Sequence, residues 1–311
     1  MNYKERQEII AKSPISFAYL KRFNTGAGIL HFVQGIAMVA LGLYKAYTLN
    51  IYTFYLKFQI LPTTPQTFLI RPDPKIWFSI GYIGVAAALF LLMSATAHFI
   101  ISFAKNDKYN ENLKKGMNPY RWYEYAFSSS LMIFLIASFA GVWEIWSLVM
   151  IFVLNAMMIM FGYLMEKINQ YTEKTDWSPF ILGCISGGTP WLVVYAYFIA
   201  AITSVSQNVP TFVYLIVSIF FVLFMVFALN MVLQYKGVGR WKYYLYGERM
   251  YIILGFVAKS LLPGSCSPEC SYPTGHAQNN LPFFFKRTNT QSSACLFSFS
   301  PMLVRFTFSI S

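Results

Sequence analysis

Long apolar runs alternate with short polar stretches along the chain as far as about residue 262. A helix needs about 20 consecutive apolar residues to cross a bilayer core. Seven runs reach that length. They cover about Thr25 to Thr48, Ile76 to Ala104, Pro119 to Gly141, Trp143 to Met165, Pro179 to Val205 and Pro210 to Tyr235, and the seventh begins near Tyr243 and runs past Lys259. The pattern predicts an all-α membrane protein, a seven-transmembrane helix bundle. Pro179 and Pro210 stand at span starts, where a missing N–H costs no helical hydrogen bond.

Between the first two spans the pattern changes. Ile51 to Phe58 is rich in β-branched and aromatic residues, and Pro62, Pro65, Pro72 and Pro74 follow it. This predicts a short β-ribbon at the membrane surface, broken into pieces by the prolines. Three segments result: residues 1–24 as a polar N-terminal segment, 25–262 as the helical domain, and 263–311 as a disordered tail. No cleavable signal peptide is expected, because the first 22 residues are polar and of mixed charge and no small-residue cleavage site follows the first apolar run.

Composition agrees with a membrane class. Hydrophobic residues make up 57% of the chain and charged residues only 12%, against about 25% charged in a soluble domain. The net charge of +12 reflects topology rather than nucleic-acid binding, because the basic residues fall between the apolar spans. Sixteen Lys and Arg lie on the side bearing the N-terminus and seven on the other. That bias predicts a cytoplasmic N-terminus and, with seven spans, an extracellular C-terminus and an extracellular first loop carrying the ribbon. Cys266, Cys270 and Cys295 lie in the tail. Two of them could pair, but their spacing with His276 matches no common zinc pattern, so no metal is expected.

Ionisable residues inside spans are costly and therefore informative. Most of the twelve acidic residues fall in loops or at span ends, Glu144, Glu166 and Glu248 among them. Glu124 alone lies more than a turn inside a span, and Lys259 alone among the basic residues lies deep in one. A neutral lysine amine is a nucleophile that forms a Schiff base with an aldehyde, and a nearby carboxylate keeps such a group protonated. The plainer alternative is that Lys259 snorkels or simply pairs with Glu124. His31 and His98 lie in the first and second spans. Ser94 is one turn from His98, and Ser128 is one turn from Glu124 on the same face; both are candidates for solvating a proton-accepting cavity. Asn155, in mid-span, needs a buried partner. Trp191, Tyr195, Phe220, Phe221, Phe224 and Phe227 suit either a polyene or ordinary packing.

Several stretches resemble one family. Arg121-Trp122-Tyr123-Glu124-Tyr125-Ala126-Phe127-Ser128-Ser129-Ser130 resembles the third-helix signature of the heliorhodopsins. Phe256-Val257-Ala258-Lys259-Ser260 resembles their retinal-lysine motif. Leu30-His31-Phe32-Val33-Gln34-Gly35 and Ser94-Ala95-Thr96-Ala97-His98 resemble their histidine motifs. Leu233 to Glu248 resembles their sixth-to-seventh connection. The resemblance covers about residues 20 to 262. It implies a light-sensing photoreceptor, not an enzyme, with the N-terminus inside and a homodimer as the assembly. It implies all-trans retinal bound covalently at Lys259, Glu124 as counterion, and His31 and His98 beside the Schiff-base cavity with Ser94 and Ser128. Tyr125 and Asn155 are carried over as pocket residues. It also implies a β-strand segment after the first helix.

Outward proton pumps among microbial rhodopsins keep a carboxylate eleven residues after the counterion. That position here is Leu135, so such a pump is not expected. A light-gated proton channel or transporter on the same scaffold, and a chromophore-free seven-helix protein, are the competing readings. The lipid bilayer and an unidentified signalling protein are the expected partners. One departure from the family pattern stands out: Pro263-Gly264 follows Lys259 closely. It is expected to truncate the seventh helix, as an altered C-terminus would.

Overall fold

The computed structural model describes residues 8–9, 12–44, 48–62, 67–204 and 211–265. Among these, seven long helices form the bundle: α1 (Phe17–Tyr44), α2 (Ile83–Phe99, continued by a π-helical turn, Ile100–Ala104), α4 (Pro119–Ala140), α5 (Ile145–Ile168), α6 (Ser178–Thr203), α7 (Thr211–Lys236) and α8 (Tyr244–Ser265). A short helix, α3 (Asn106–Lys114), links α2 to α4, and a 3-10 turn, Gly239–Lys242, links α7 to α8. Strands β1 (Leu49–Leu61) and β2 (Thr67–Ile80) stand between α1 and α2.

The outside of the bundle is apolar. Val33 and Ile36 on α1, and Ile185 and Leu192 on α6, are exposed. A bundle bathed in water would place polar side chains there, whereas a bundle bathed in lipid has no reason to. Six of the seven helices are long and apolar enough to cross a membrane. The seventh, α8, is less apolar because its first turns carry Glu248 and Arg249.

The structure corrects several sequence expectations. Residues 17–24 already belong to α1, not to a separate N-terminal segment. Leu20 on that stretch packs with Tyr109, Leu113, Tyr244 and Leu245, while Lys21 and Arg22 face outward. The second span begins at Ile83 rather than Ile76, because Ile76 to Ile80 pair in β2. Pro263 does not end the last helix, which runs on to Ser265. A proline so near a helix end removes one hydrogen bond and leaves few turns beyond it to disturb. At 22 residues, α8 is about 33 Å long, enough for a bilayer core. The tail from 266, with its three cysteines and His276, lies outside the described residues.

The ribbon is longer than its aromatic half suggested, and Pro72 and Pro74 do not break it, while Pro65 lies outside the described residues. Pro74 pairs with Phe54 and Pro72 with Leu56. Every second N–H of a two-stranded ribbon points to a free edge, and these two prolines share that parity. The Tyr52 N–H donates to the Trp143 carbonyl at 2.7 Å, so the base of the ribbon is tied to the α4–α5 connection. Leu49 and Ile51 are buried there, while Phe58, Ile60 and Phe68 near the tip are exposed.

Helix ends follow their local chemistry. Asn118 caps α4, its side chain accepting from the Arg121 N–H at 3.2 Å, with Pro119 just inside. Gly141, at φ 107°, closes the same helix in the left-handed conformation. α1 and α2 touch backbone to backbone at Gly42 and Gly84. A Cβ built on Gly84 would sit 2.7 Å from Gly42 Cα, so only hydrogen fits. Gly84→Leu is therefore expected to cost about 1–3 kcal/mol, read as a lowered thermal midpoint of the purified protein in lipid. An unchanged midpoint would show that the two helices do not meet so closely.

Candidate functional site

Lys259 lies fifteen residues after the start of α8 and is only 4% exposed. Its Nζ is 2.6 Å from Glu124 Oε1 on α4. Ser94 on α2 completes a triangle. Its Oγ lies 2.6 Å from Lys259 Nζ and 2.6 Å from the same Glu124 oxygen, and donates to the Phe90 carbonyl at 3.0 Å in the alternative. Three helices thus converge on one proton-bearing amine. Both charges are largely withdrawn from solvent, so each depends on the other and on the serine. Ser128, fully buried one turn on from Glu124, adds to the polar surroundings of that carboxylate.

The amine also lies 4.6 Å from the centre of the Tyr125 ring, a cation–π distance. The Tyr125 hydroxyl donates to the Tyr251 carbonyl at 2.9 Å, which fixes the ring against α8. Phe227 meets the Tyr125 ring edge-on at 5.6 Å. Farther into the bundle, Ala258, next to Lys259, belongs to an apolar core shared with Trp191 and Phe220. Trp191 stacks edge-on against Phe221 and Phe224, and its buried indole N–H has no partner among the described residues. A buried primary amine with an adjacent carboxylate, opening toward aromatic walls, suits an aldehyde with a long apolar body. Retinal has that chemistry, so the residues fit it.

The two histidines are brought to this place. The His31 and His98 rings stack at 5.7 Å, and His31 also packs on Phe256, one turn before Lys259, at 5.3 Å. His98 Nδ1 lies 2.8 Å from Asn24 Oδ1. The Asn24 amide nitrogen donates to the Leu20 carbonyl at 2.9 Å, so its oxygen must face His98. This network assigns the proton of neutral His98 to Nδ1 and leaves Nε2 free to accept another.

Asn155 is the exception among the expected pocket residues. Its Nδ2 donates to Ser129 Oγ at 2.9 Å and Ser130 Oγ at 3.0 Å, so it stitches α5 to α4. Its partners are the serines that face away from Glu124 on the helical wheel, which spacing alone did not reveal.

A second buried polar site was missed by sequence reasoning. Arg121 binds two carboxylates at once: Glu248 through Nη1, and Glu166 at 2.6 Å through Nη2. All three side chains are nearly without solvent exposure. Trp122 Nε1 and the Asn118 N–H hold Glu166 at 2.6 and 2.9 Å. The Tyr244 hydroxyl donates to Glu166 at 3.1 Å. Asn118 Nδ2 and the Tyr109 hydroxyl hold Glu248 at 2.6 and 3.2 Å. Burial holds the Tyr109 phenol, on the short helix α3, well above its usual range, so it stays a neutral O–H. These residues sit at helix ends in the sequence, where charge is cheap, and that is why they looked ordinary. The one available signal was the Arg121–Glu124 stretch, which puts a cation and an anion three residues apart on one predicted span.

A comparison with curated proteins finds no match. The family model described as heliorhodopsin matches residues 20–264. That span runs from the first turn of α1 through Lys259 and contains every residue of both buried sites. With its seven long helices, its ribbon after the first of them and its lysine–carboxylate pair, the chain belongs to the heliorhodopsin family.

Proposed function

We propose that this protein is a photoreceptor that carries all-trans retinal as a protonated Schiff base on Lys259, with Glu124 as its counterion, and that it does not pump protons outward. Family membership makes it a rhodopsin-type light-sensing membrane protein. The observation that carries the finer reading is the 2.6 Å contact between Lys259 Nζ and Glu124 Oε1, deep in the bundle.

Bound retinal supplies visible absorption and a light-driven change of shape. The chain's own residues do the rest. Lys259 Nζ anchors the group and holds a proton. Glu124 Oε1 balances that charge, and Ser94 Oγ keeps the two in register. Tyr125, packed by Phe227, lies against the amine, and Trp191 and Phe224 fill the apolar core beside Ala258. When the proton leaves Nζ, the stacked imidazoles of His31 and His98 stand beside it, and His98 Nε2 is free to take it.

Leu135 supports the non-pumping reading. It is fully buried and offers no proton at the position where outward pumps keep a carboxylate. The excess of Lys and Arg on the side bearing the N-terminus supports a cytoplasmic N-terminus and, with it, an extracellular ribbon. The homodimer and the signalling partner are carried over from the family resemblance.

Addition of all-trans retinal to membranes holding the protein is expected to produce a visible band, and Lys259→Ala is expected to abolish it. A band of unchanged intensity in that variant would overturn the attachment site. Glu124→Gln removes the balancing charge. Its pigment is expected to absorb at longer wavelength and to lose its visible band at lower pH than wild type, as recorded in a spectrophotometric titration. An unmoved maximum and titration would remove Glu124 from the role. Illumination of voltage-clamped cells is expected to give no sustained current; a light-dependent current would make the protein a channel or transporter.

A further inference from the structure

The cluster around Arg121 has one cation and two carboxylates, and all three are buried. Its surplus negative charge has no second cation among the groups that hydrogen-bond to it. Those groups come from every packed element: Asn118 and Trp122 on the α4 side, Tyr109 on α3, and Tyr244 on α8. The Tyr251 ring lies 4.0 Å from the guanidinium carbon. An unbalanced charge in such a place is costly, and a proton is the smallest group that removes it.

The two carboxylates are not equivalent. Glu166 receives four hydrogen bonds. Three of them come from a guanidinium, an indole and a backbone N–H, none of which can accept one in return. Glu248 receives three. Each carboxylate has one tyrosine hydroxyl that can turn and accept, Tyr244 for Glu166 and Tyr109 for Glu248, but only two fixed donors hold Glu248 as an anion against three for Glu166. Tyr109 also lies 3.3 Å from Asn24 Nδ2, and Asn24 Oδ1 lies 2.8 Å from His98 Nδ1. A line of hydrogen bonds therefore joins Glu248 to the histidine pair.

We propose that Glu248 is a second proton-binding site of this protein. A hydronium ion delivers its proton to Glu248 Oε1 and leaves as water, and the Tyr109 hydroxyl turns to accept the new O–H. Only that O–H bond forms. Through Tyr109 and Asn24 the charge state of Glu248 biases that of His98, and the reverse holds equally. The inference does not depend on retinal, because it concerns the dark protein and groups that do not touch Lys259.

The test is an infrared pH titration of the full chain in lipid nanodiscs, in the dark, with and without D2O. A carboxyl C=O band that exchanges slowly is expected to appear on acidification, to vanish in Glu248→Gln, and to appear only at lower pH in Glu166→Gln, where Arg121 already balances the one remaining carboxylate. A band untouched by Glu248→Gln, or no such band over the range in which the wild type stays folded, would overturn the proposal. Should Glu248→Gln fail to fold, Tyr109→Phe decides. It keeps the ring packing but removes the hydroxyl that donates to the ionised carboxylate and accepts from the protonated one, so the C=O band is expected to shift in frequency. A band of unmoved frequency would equally overturn it.

Discussion

Where there is no water, a charged amine persists only beside its anion, and most of this architecture follows from keeping Lys259 and Glu124 together. The two residues sit on helices far apart in sequence, so the bundle itself must hold them at 2.6 Å. Breaking a buried ion pair by deleting one partner costs about 3–5 kcal/mol, far more than a surface pair would. Ser94, on a third helix, reaches both members, and the Tyr125 ring lies against the amine. Every group that touches the pair is itself fixed by another contact. The serine has the Phe90 carbonyl, and the tyrosine has the Tyr251 carbonyl. The result is a reactive nitrogen held in one place beside its anion.

The Arg121 cluster does the corresponding work at the end of the bundle where α4 and α8 begin and α5 ends. It joins these helices to α3 by hydrogen bonds that reach the cap residue Asn118. The two polar sites are separated along α4 by a single turn, Arg121 to Glu124, yet they have opposite surroundings. One is a cation between two anions and the other an anion beside a cation. Asn24 and Tyr109 link the Arg121 cluster to His98. Lipid-facing residues contribute no polar group to either site, so the charged groups communicate with one another and not with the bilayer.

Much of this was legible in the sequence. Apolar runs fixed the number of long helices to within a few residues at their ends, because in a bilayer the hydrophobic length is itself the structural requirement. The lysine and its carboxylate were legible for the same reason: a charge in mid-span stands out against apolar neighbours. The exact helix starts were harder, since Phe17 to Asn24 is amphipathic and extends α1 past the apolar run. The ribbon was underestimated because Pro72 and Pro74 read as breakers, and only pairing shows that they share the free edge. Arg121, Glu166 and Glu248 were invisible as a group. Each lies within a turn or so of a helix end, and nothing in one dimension says that the three ends meet. Asn155 was placed by depth alone, whereas its rotation about α5 turns it to Ser129 and Ser130.

The central claim is that a single amine in this bundle carries the chromophore. Mass spectrometry of retinal-loaded protein, reduced to make the linkage permanent and then digested, tests it directly. The account predicts one modified peptide, with the added mass on Lys259. Modification of a different amine, or recovery of the Lys259 peptide unmodified from a coloured sample, would contradict it.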